Sequence, residues 1–197
     1  MRIRNALHPT RCGFILLMLG AVMCAGCAGV LMGGAATGAA VVNDPRTTGT
    51  VVEDQAIETK AGNAIRGDAE LAQQTHVNIA SYNQIVLLTG ESPTEDMRNR
   101  VFNLVKGIEK VRTVHNEIVI AAPSPLTART NDTLITTGVK TKLFATKDLN
   151  APRIKVVTEA GVVYLLGLVT QSEGTRAAEV ASTTAGVQKV VKLFEYR

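Results

Sequence analysis

Val77-Asn78-Ile79-Ala80-Ser81-Tyr82, a turn at Asn83-Gln84 and Ile85-Val86-Leu87-Leu88-Thr89-Gly90 recur 77 positions later as Ile154-Lys155-Val156-Val157-Thr158-Glu159, a turn at Ala160-Gly161 and Val162-Val163-Tyr164-Leu165-Leu166-Gly167. Both copies are rich in β-branched residues, and each is interrupted by two turn residues, so each reads as a β-hairpin. Self-similarity at a fixed spacing marks a duplicated structural unit.

The flanks repeat as well. Ser92-Pro93-Thr94-Glu95 and Thr170-Gln171-Ser172-Glu173 follow the two hairpins. Both fit a capping box, in which a hydroxyl and a Glu three residues on satisfy the free donors of a helix start. Met97, Val101, Leu104 and Val105 in one copy, and Ala177, Val180 and Ala181 in the other, then recur at helical spacing. Gly107-Ile108-Glu109-Lys110-Val111 and Gly186-Val187-Gln188-Lys189-Val190 close the helices, and last strands are expected over 111–120 and 187–196. Helical stretches at 54–66 and 132–145 precede the hairpins. The expected unit is helix, strand, strand, helix, strand. The fold class is α/β (α+β): two tandem modules, each a three-stranded mixed sheet covered by two helices. With 46% hydrophobic residues but only 4% aromatics and no Trp, the cores must rest on Val, Leu, Ile and Ala. A unit of about 65 residues is near the lower size limit for an independent core. Docking of the modules on each other is compatible with that size, though the sequence does not show it.

Outside the repeat, residues 1–26 read as a signal peptide, with basic Arg2, Arg4 and Arg11, an apolar run from Gly13 to Val22, and small residues before Cys27. Cys24-Ala25-Gly26-Cys27 resembles a bacterial lipobox, with Cys24 standing where Leu is usual. The resemblance makes Cys27 the expected lipid attachment site, and Ala28 in place of Asp favours sorting to the outer membrane. An ordinary cleaved signal and a membrane-spanning helix are the other readings. Seven glycines between Gly13 and Val42 weigh against the helix. Residues 27–50 are expected to form a lipidated tether, 51–120 the first module, 121–130 a Pro-containing linker and 131–197 the second module. The three cysteines all lie at or before residue 27, which excludes disulfides and Cys-based metal sites downstream.

The first helix of the second module carries the candidate site. At about 100° per residue, Ile135, Val139 and Leu143 form a core stripe, while Leu134, Gly138 and Thr141 point largely away. Lys140 and Lys142 flank that outer strip, and Thr137 completes the set. An exposed Leu between lysines suits a membrane interface, with the apolar tip in the acyl boundary and the ammonium groups at phosphates. The alternative is that Leu134 packs under the linker or against the first module and the lysines form a solvated face. Residues 131–197 carry nine basic and six acidic side chains (+3), whereas 28–130 carry nine and eleven (−2), so the second module is better suited to anionic headgroups.

Enzymatic readings find little support. His76 and His115 stand alone in strand regions, with no HExxH and no nucleophile elbow, and the glycines form neither GxGxxG nor a Walker loop. No catalytic residue, cofactor or metal is expected. A nucleic-acid partner is not expected either, since no cluster of aromatics sits on a basic sheet.

The repeat resembles the BON domain (bacterial OsmY and nodulation), and the chain from Cys27 to Arg197 is similar to the dual-BON-domain outer-membrane lipoproteins of Gram-negative bacteria. Asp44-Pro45-Arg46-Thr47-Thr48-Gly49, Asn131-Asp132-Thr133-Leu134-Ile135-Thr136-Thr137 and the hairpin-closing Gly90 and Gly167 carry the likeness. The resemblance implies periplasmic residence at the inner leaflet of the outer membrane and a role in envelope integrity. It also implies binding of anionic phospholipid, such as phosphatidylglycerol, through the first helix of the second module. Family members favour an aromatic residue where this chain has Leu134, which implies shallower insertion here. The competing expectation is a protein-interaction adaptor, docking on an envelope assembly machine or a regulator of cell-wall hydrolases.

Overall fold

The computed structural model describes residues 44–197, so the signal segment 1–26, Cys27 and most of the expected tether lie outside the described residues. The first module runs α1 (Thr48–Gly67), α2 (Ala69–Gln74), β1 (His76–Tyr82), β2 (Ile85–Ser92), α3 (Glu95–Lys106), β3 (Thr113–Asn116) and β4 (Val119–Ile120). The second runs α4 (Leu126–Ala145), a 3-10 turn (Ala151–Arg153), β5 (Ile154–Glu159), β6 (Val162–Val169), α5 (Gln171–Ser182) and β7 (Lys189–Tyr196). In each sheet the second hairpin strand is central, antiparallel to the first and parallel to the last, which returns through a helical crossover. The mixed three-stranded sheet covered by two long helices is as expected, and the first module adds the short α2, whose Leu71 joins the core. In the first module its last strand breaks at Glu117-Ile118 into two short pieces.

Both hairpin turns use two residues of positive φ: Asn83 (52°) and Gln84 (64°), then Ala160 (48°) and Gly161 (75°). That backbone matches the twist of the flanking strands. Their outward-turned N–H groups find a partner on the module's first helix. Asp54 of α1 accepts from Asn83 N (2.8 Å) and Gln84 N (2.7 Å), and Asp132 of α4 accepts from Ala160 N and Gly161 N (both 2.9 Å). Each buried carboxylate thereby fixes its helix against its hairpin, and the device is duplicated with the fold.

Several boundaries differ from the sequence reading. Helix α1 starts at Thr48, where the Thr47 hydroxyl accepts from Thr50 N, and Arg46 reaches forward to Asp54 (2.7 Å) and lies over the Tyr82 ring at 3.8 Å. The stretch from Asp44 to Arg46 therefore belongs to the folded structure rather than to a free tether. Helix α4 begins at Leu126, inside the stretch read as linker, because Pro125 presets the entry and nothing between 126 and 131 stops a helix. Helix α3 is capped by Thr94, whose hydroxyl accepts from Met97 N, whereas Ser92 turns its hydroxyl to the Thr94 carbonyl. The capping box at Thr170 and Glu173 forms as expected.

Alternation along the strands buries both faces of both sheets. One face meets the helices: Ile57, Ala61, Ile65, Val86, Leu88, Met97, Val101 and Val105 form the first core, and Ile135, Val139, Leu143, Val163, Leu165, Ala177 and Ala181 the second. The opposite faces pack on one another through Ala80, Tyr82 and Leu87 of the first sheet and Tyr164 and Leu166 of the second. The layers run helix, sheet, sheet, helix. Burial pushes the phenols of Tyr82 and Tyr164 up to about 12, so both stay protonated. Polar groups ring this interface: Asn83 donates to Glu195 (2.5 Å), Asn78 to Glu159 (2.7 Å) and Lys155 to the Ser81 carbonyl (3.1 Å) while pairing with Glu58. Among the described residues, no helix is long and apolar enough to cross a membrane.

Candidate functional site

Helix α4 is held from three sides, and those attachments determine which face is left over. Ile135, Val139 and Leu143 are buried in the second core, as their spacing requires. Asp132 ties the helix to the β5–β6 turn. Gly138 faces the loop after α5: a Cβ there would lie 3.1 Å from the Thr184 methyl. It is a close-packing position rather than part of the outward strip. Lys142 is likewise engaged, donating to the Thr183 carbonyl at 2.6 Å, where the α5 carbonyls end and a cation is favoured.

The remaining face is apolar at both ends. Leu134 is 67% exposed and Phe144 is 66% exposed. Ten residues apart, they stand about 15 Å along the axis and about 80° around it. Between them run Thr137 and Thr141, with Thr133 alongside. Each of the three hydroxyls donates to the carbonyl four residues earlier at 2.9–3.0 Å. With its hydroxyl turned inward to the backbone, each threonine presents mainly its methyl, so the face is less polar than its composition suggests. Lys140 is exposed at the edge of this face and lines a cleft of about 410 Å³ together with His76, Asn78, Arg129 and Glu159.

Of the six residues expected on this helix, Leu134, Thr137, Lys140 and Thr141 share the open face, whereas Gly138 packs against the loop after α5 and Lys142, though exposed, bends to that loop. The sequence reading missed Phe144, which follows core Leu143 directly and reads as part of the same apolar run. Its angular position, within about 80° of Leu134, was the available signal. Arg129 was missed because it lay in the stretch read as linker.

Two stretches, residues 53–122 and 131–197, match the BON domain. The chain is 40% identical over 183 residues to the outer membrane lipoprotein DolP of Haemophilus influenzae, covering 92% of this chain and 95% of that protein. It is 37% identical over 153 residues to a 21 kDa hemolysin of Actinobacillus pleuropneumoniae (78% and 79% of the two chains). Over 145 residues it is 28% identical to the osmotically-inducible protein Y of Escherichia coli (72% of each). Both repeats are thus accounted for by one domain type, and the longest of these alignments runs across nearly the whole of an outer-membrane lipoprotein. With the order helix, strand, strand, helix, strand present twice and both copies matched, the chain belongs to the BON-domain family, as a two-module member of the DolP type.

Proposed function

We propose that this chain is a lipid-anchored periplasmic binding protein that recognises anionic phospholipid through the open face of α4 and so supports the integrity of the outer membrane. Its likeness to an outer-membrane lipoprotein favours the location and a binding rather than catalytic role. The observation that carries the reading is the pair Leu134 and Phe144, two large apolar side chains left about two-thirds exposed on one helix face with Lys140 beside them. Phe144 supplies the aromatic contact that Leu134 does not. Full burial of such side chains is worth about 1.5–3 kcal/mol each, and a lysine near anionic headgroups adds about 1 kcal/mol. Two-thirds of the apolar term plus the lysine comes to about 3–5 kcal/mol. That is weak in free solution, but sufficient for a protein already tethered to the same membrane, where the contact is effectively intramolecular. Lys140 and Arg129 provide the basic edge.

Flotation with phosphatidylglycerol vesicles, using chain that lacks the acyl anchor, tests the reading. Leu134→Glu and Phe144→Glu should each reduce the bound fraction about tenfold or more, while Lys140→Gln should cost a few-fold and lessen the dependence on salt. Unchanged binding in both glutamate variants would refute the assignment. Retention of one dominant protein crosslink in cells by those same variants would favour the adaptor role instead.

A further inference from the structure

Away from the apolar face, two side chains that line the α4 cleft, His76 and Glu159, meet a third, Glu91, and the three belong together chemically. His76 opens β1, Glu91 lies near the end of β2, and Glu159 ends β5 of the other module. All three point into the sheet-to-sheet interface. One ligand atom from each lies within 4.8 Å of the others. Glu91 is 5% exposed and Glu159 8%. Among the described residues, neither carboxylate is ion-paired to a lysine or arginine. Glu91 accepts from His76 Nδ1 at 3.0 Å and from the side chain and backbone of Ser124, and Glu159 accepts from Asn78 Nδ2 at 2.7 Å and Thr89 Oγ1 at 3.2 Å.

We propose that His76, Glu91 and Glu159 form a zinc site that staples the two modules together. Hydrogen bonds from Ser124 and His76 already favour the charged form of Glu91, so the three donors stand ready as ligands with two carboxylates close to one imidazole. A divalent cation balances both carboxylates. The donor set selects the metal: one imidazole nitrogen and two carboxylate oxygens form a mixed N/O site that suits Zn²⁺ and leaves a fourth position for water, whereas Mg²⁺ and Ca²⁺ prefer all-oxygen shells. The outer contacts are in place as well, since Asn78 and Thr89 orient Glu159 in the way that second partners fix ligands in metal sites. The adjoining cleft gives an entry path. Contraction of the three donors by about 1–1.5 Å brings them to the spacing of tetrahedral ligands about 2 Å from a zinc ion. The metal takes the place of the hydrogen now lying between His76 Nδ1 and Glu91. Arg129 and Lys140 line the same cleft and oppose a cation there, so the expected affinity is micromolar rather than that of a closed structural site.

Because the ligands come from both modules, bound metal must stabilise their docking. In thermal unfolding of the full-length chain in detergent, Zn²⁺ at about 100 times its dissociation constant should raise Tm by about 5 °C or more, and Mg²⁺ at the same concentration should not. Calorimetric titration should give one Zn²⁺ per chain. His76→Gln keeps a hydrogen bond to Glu91, and Glu159→Gln keeps the shape of its site. Each should remain folded and lose the zinc-dependent shift. Absence of a shift in the parent chain, or a shift that survives in both variants, overturns the proposal and leaves His76–Glu91 as a plain hydrogen bond. None of these readouts involves lipid, so the outcome is independent of the α4 assignment.

Discussion

Replacing Asp132 with Ala tests whether a buried carboxylate is what fixes α4 to its hairpin. The side chain accepts two backbone hydrogen bonds at 2.9 Å, from Ala160 and from buried Gly161. A hydrogen bond to a charged group contributes about 1.5–3 kcal/mol, and a buried donor left without a partner costs a comparable amount. The exposed Ala160 N–H can be recovered by water, whereas that of Gly161 cannot, so the expected loss is about 3 kcal/mol. For a chain of this size that corresponds to a fall in Tm of about 6–12 °C. Asp132→Asn separates the carboxylate from mere shape: its single carbonyl can serve one N–H while its amide opposes the other, giving a loss of about 2 kcal/mol. Asp54→Ala should exceed both, because Asp54 also accepts from Ser81 Oγ (2.6 Å) and pairs with Arg46 (2.7 Å). Urea and thermal unfolding followed by circular dichroism give the ranking. If Asp132→Ala stays within about 1 kcal/mol of the parent, or Asn is indistinguishable from Asp, the carboxylate is not what fastens α4 to the hairpin.

The close approach of β5 and β6 at Gly167 predicts that Gly167→Ala is among the most damaging single changes: its Cβ would sit 2.5 Å from the Arg153 carbonyl oxygen, and hydrogen exchange of the β5–β6 amides should accelerate. At Glu173, the Thr170 N–H and hydroxyl bonded to the carboxylate hold its pKa below the ordinary value of 4.5, against a smaller opposing effect of burial. The resulting stability is fully present above about pH 4.5 and disappears as pH falls through the lowered folded value. Glu173→Gln should therefore flatten the acid limb of the stability curve while leaving its slope near pH 7 unchanged. At the sheet-to-sheet interface, Leu166→Glu should lower Tm and release the module contacts, read as loss of the long-range signals between Tyr82 and Tyr164 by NMR.

The sequence made the hairpins legible because β-branched alternation and two-residue turns act locally, and the duplication supplied each with a check. Legibility failed where the deciding partner was distant. Thr94 rather than Ser92 caps α3 because Ser92 is still paired in β2, and α4 starts early because Pro125 opens a helix as readily as it ends a linker. In the candidate site, Leu134 stood out through its angle to Ile135, Val139 and Leu143. Phe144 was hidden by contact with that same stripe. Gly138 lies on the outer half of the helix by angle alone, but the loop after α5 packs against it, and Lys142, on the flank nearer the core stripe, is exposed yet tied to that same loop. His76, Glu91 and Glu159 are separated by 15 and 68 residues, and only the packing of one sheet on another brings them together. The near-continuous apolar run Val162–Leu168 carried an unused hint of that packing, since a strand buried on both faces loses its alternation.

The face-to-face sheets carry a consequence for dissection of the molecule. Either half expressed alone would present a flat, greasy surface, with Tyr82 and Leu87 on one fragment or Tyr164 and Leu166 on the other. Severed halves are therefore expected to pair with themselves, sealing that surface with a second copy. Vesicle capture by such a fragment would report the exposed cut face as well as α4, which is why ligand assays on this protein call for both halves in one piece.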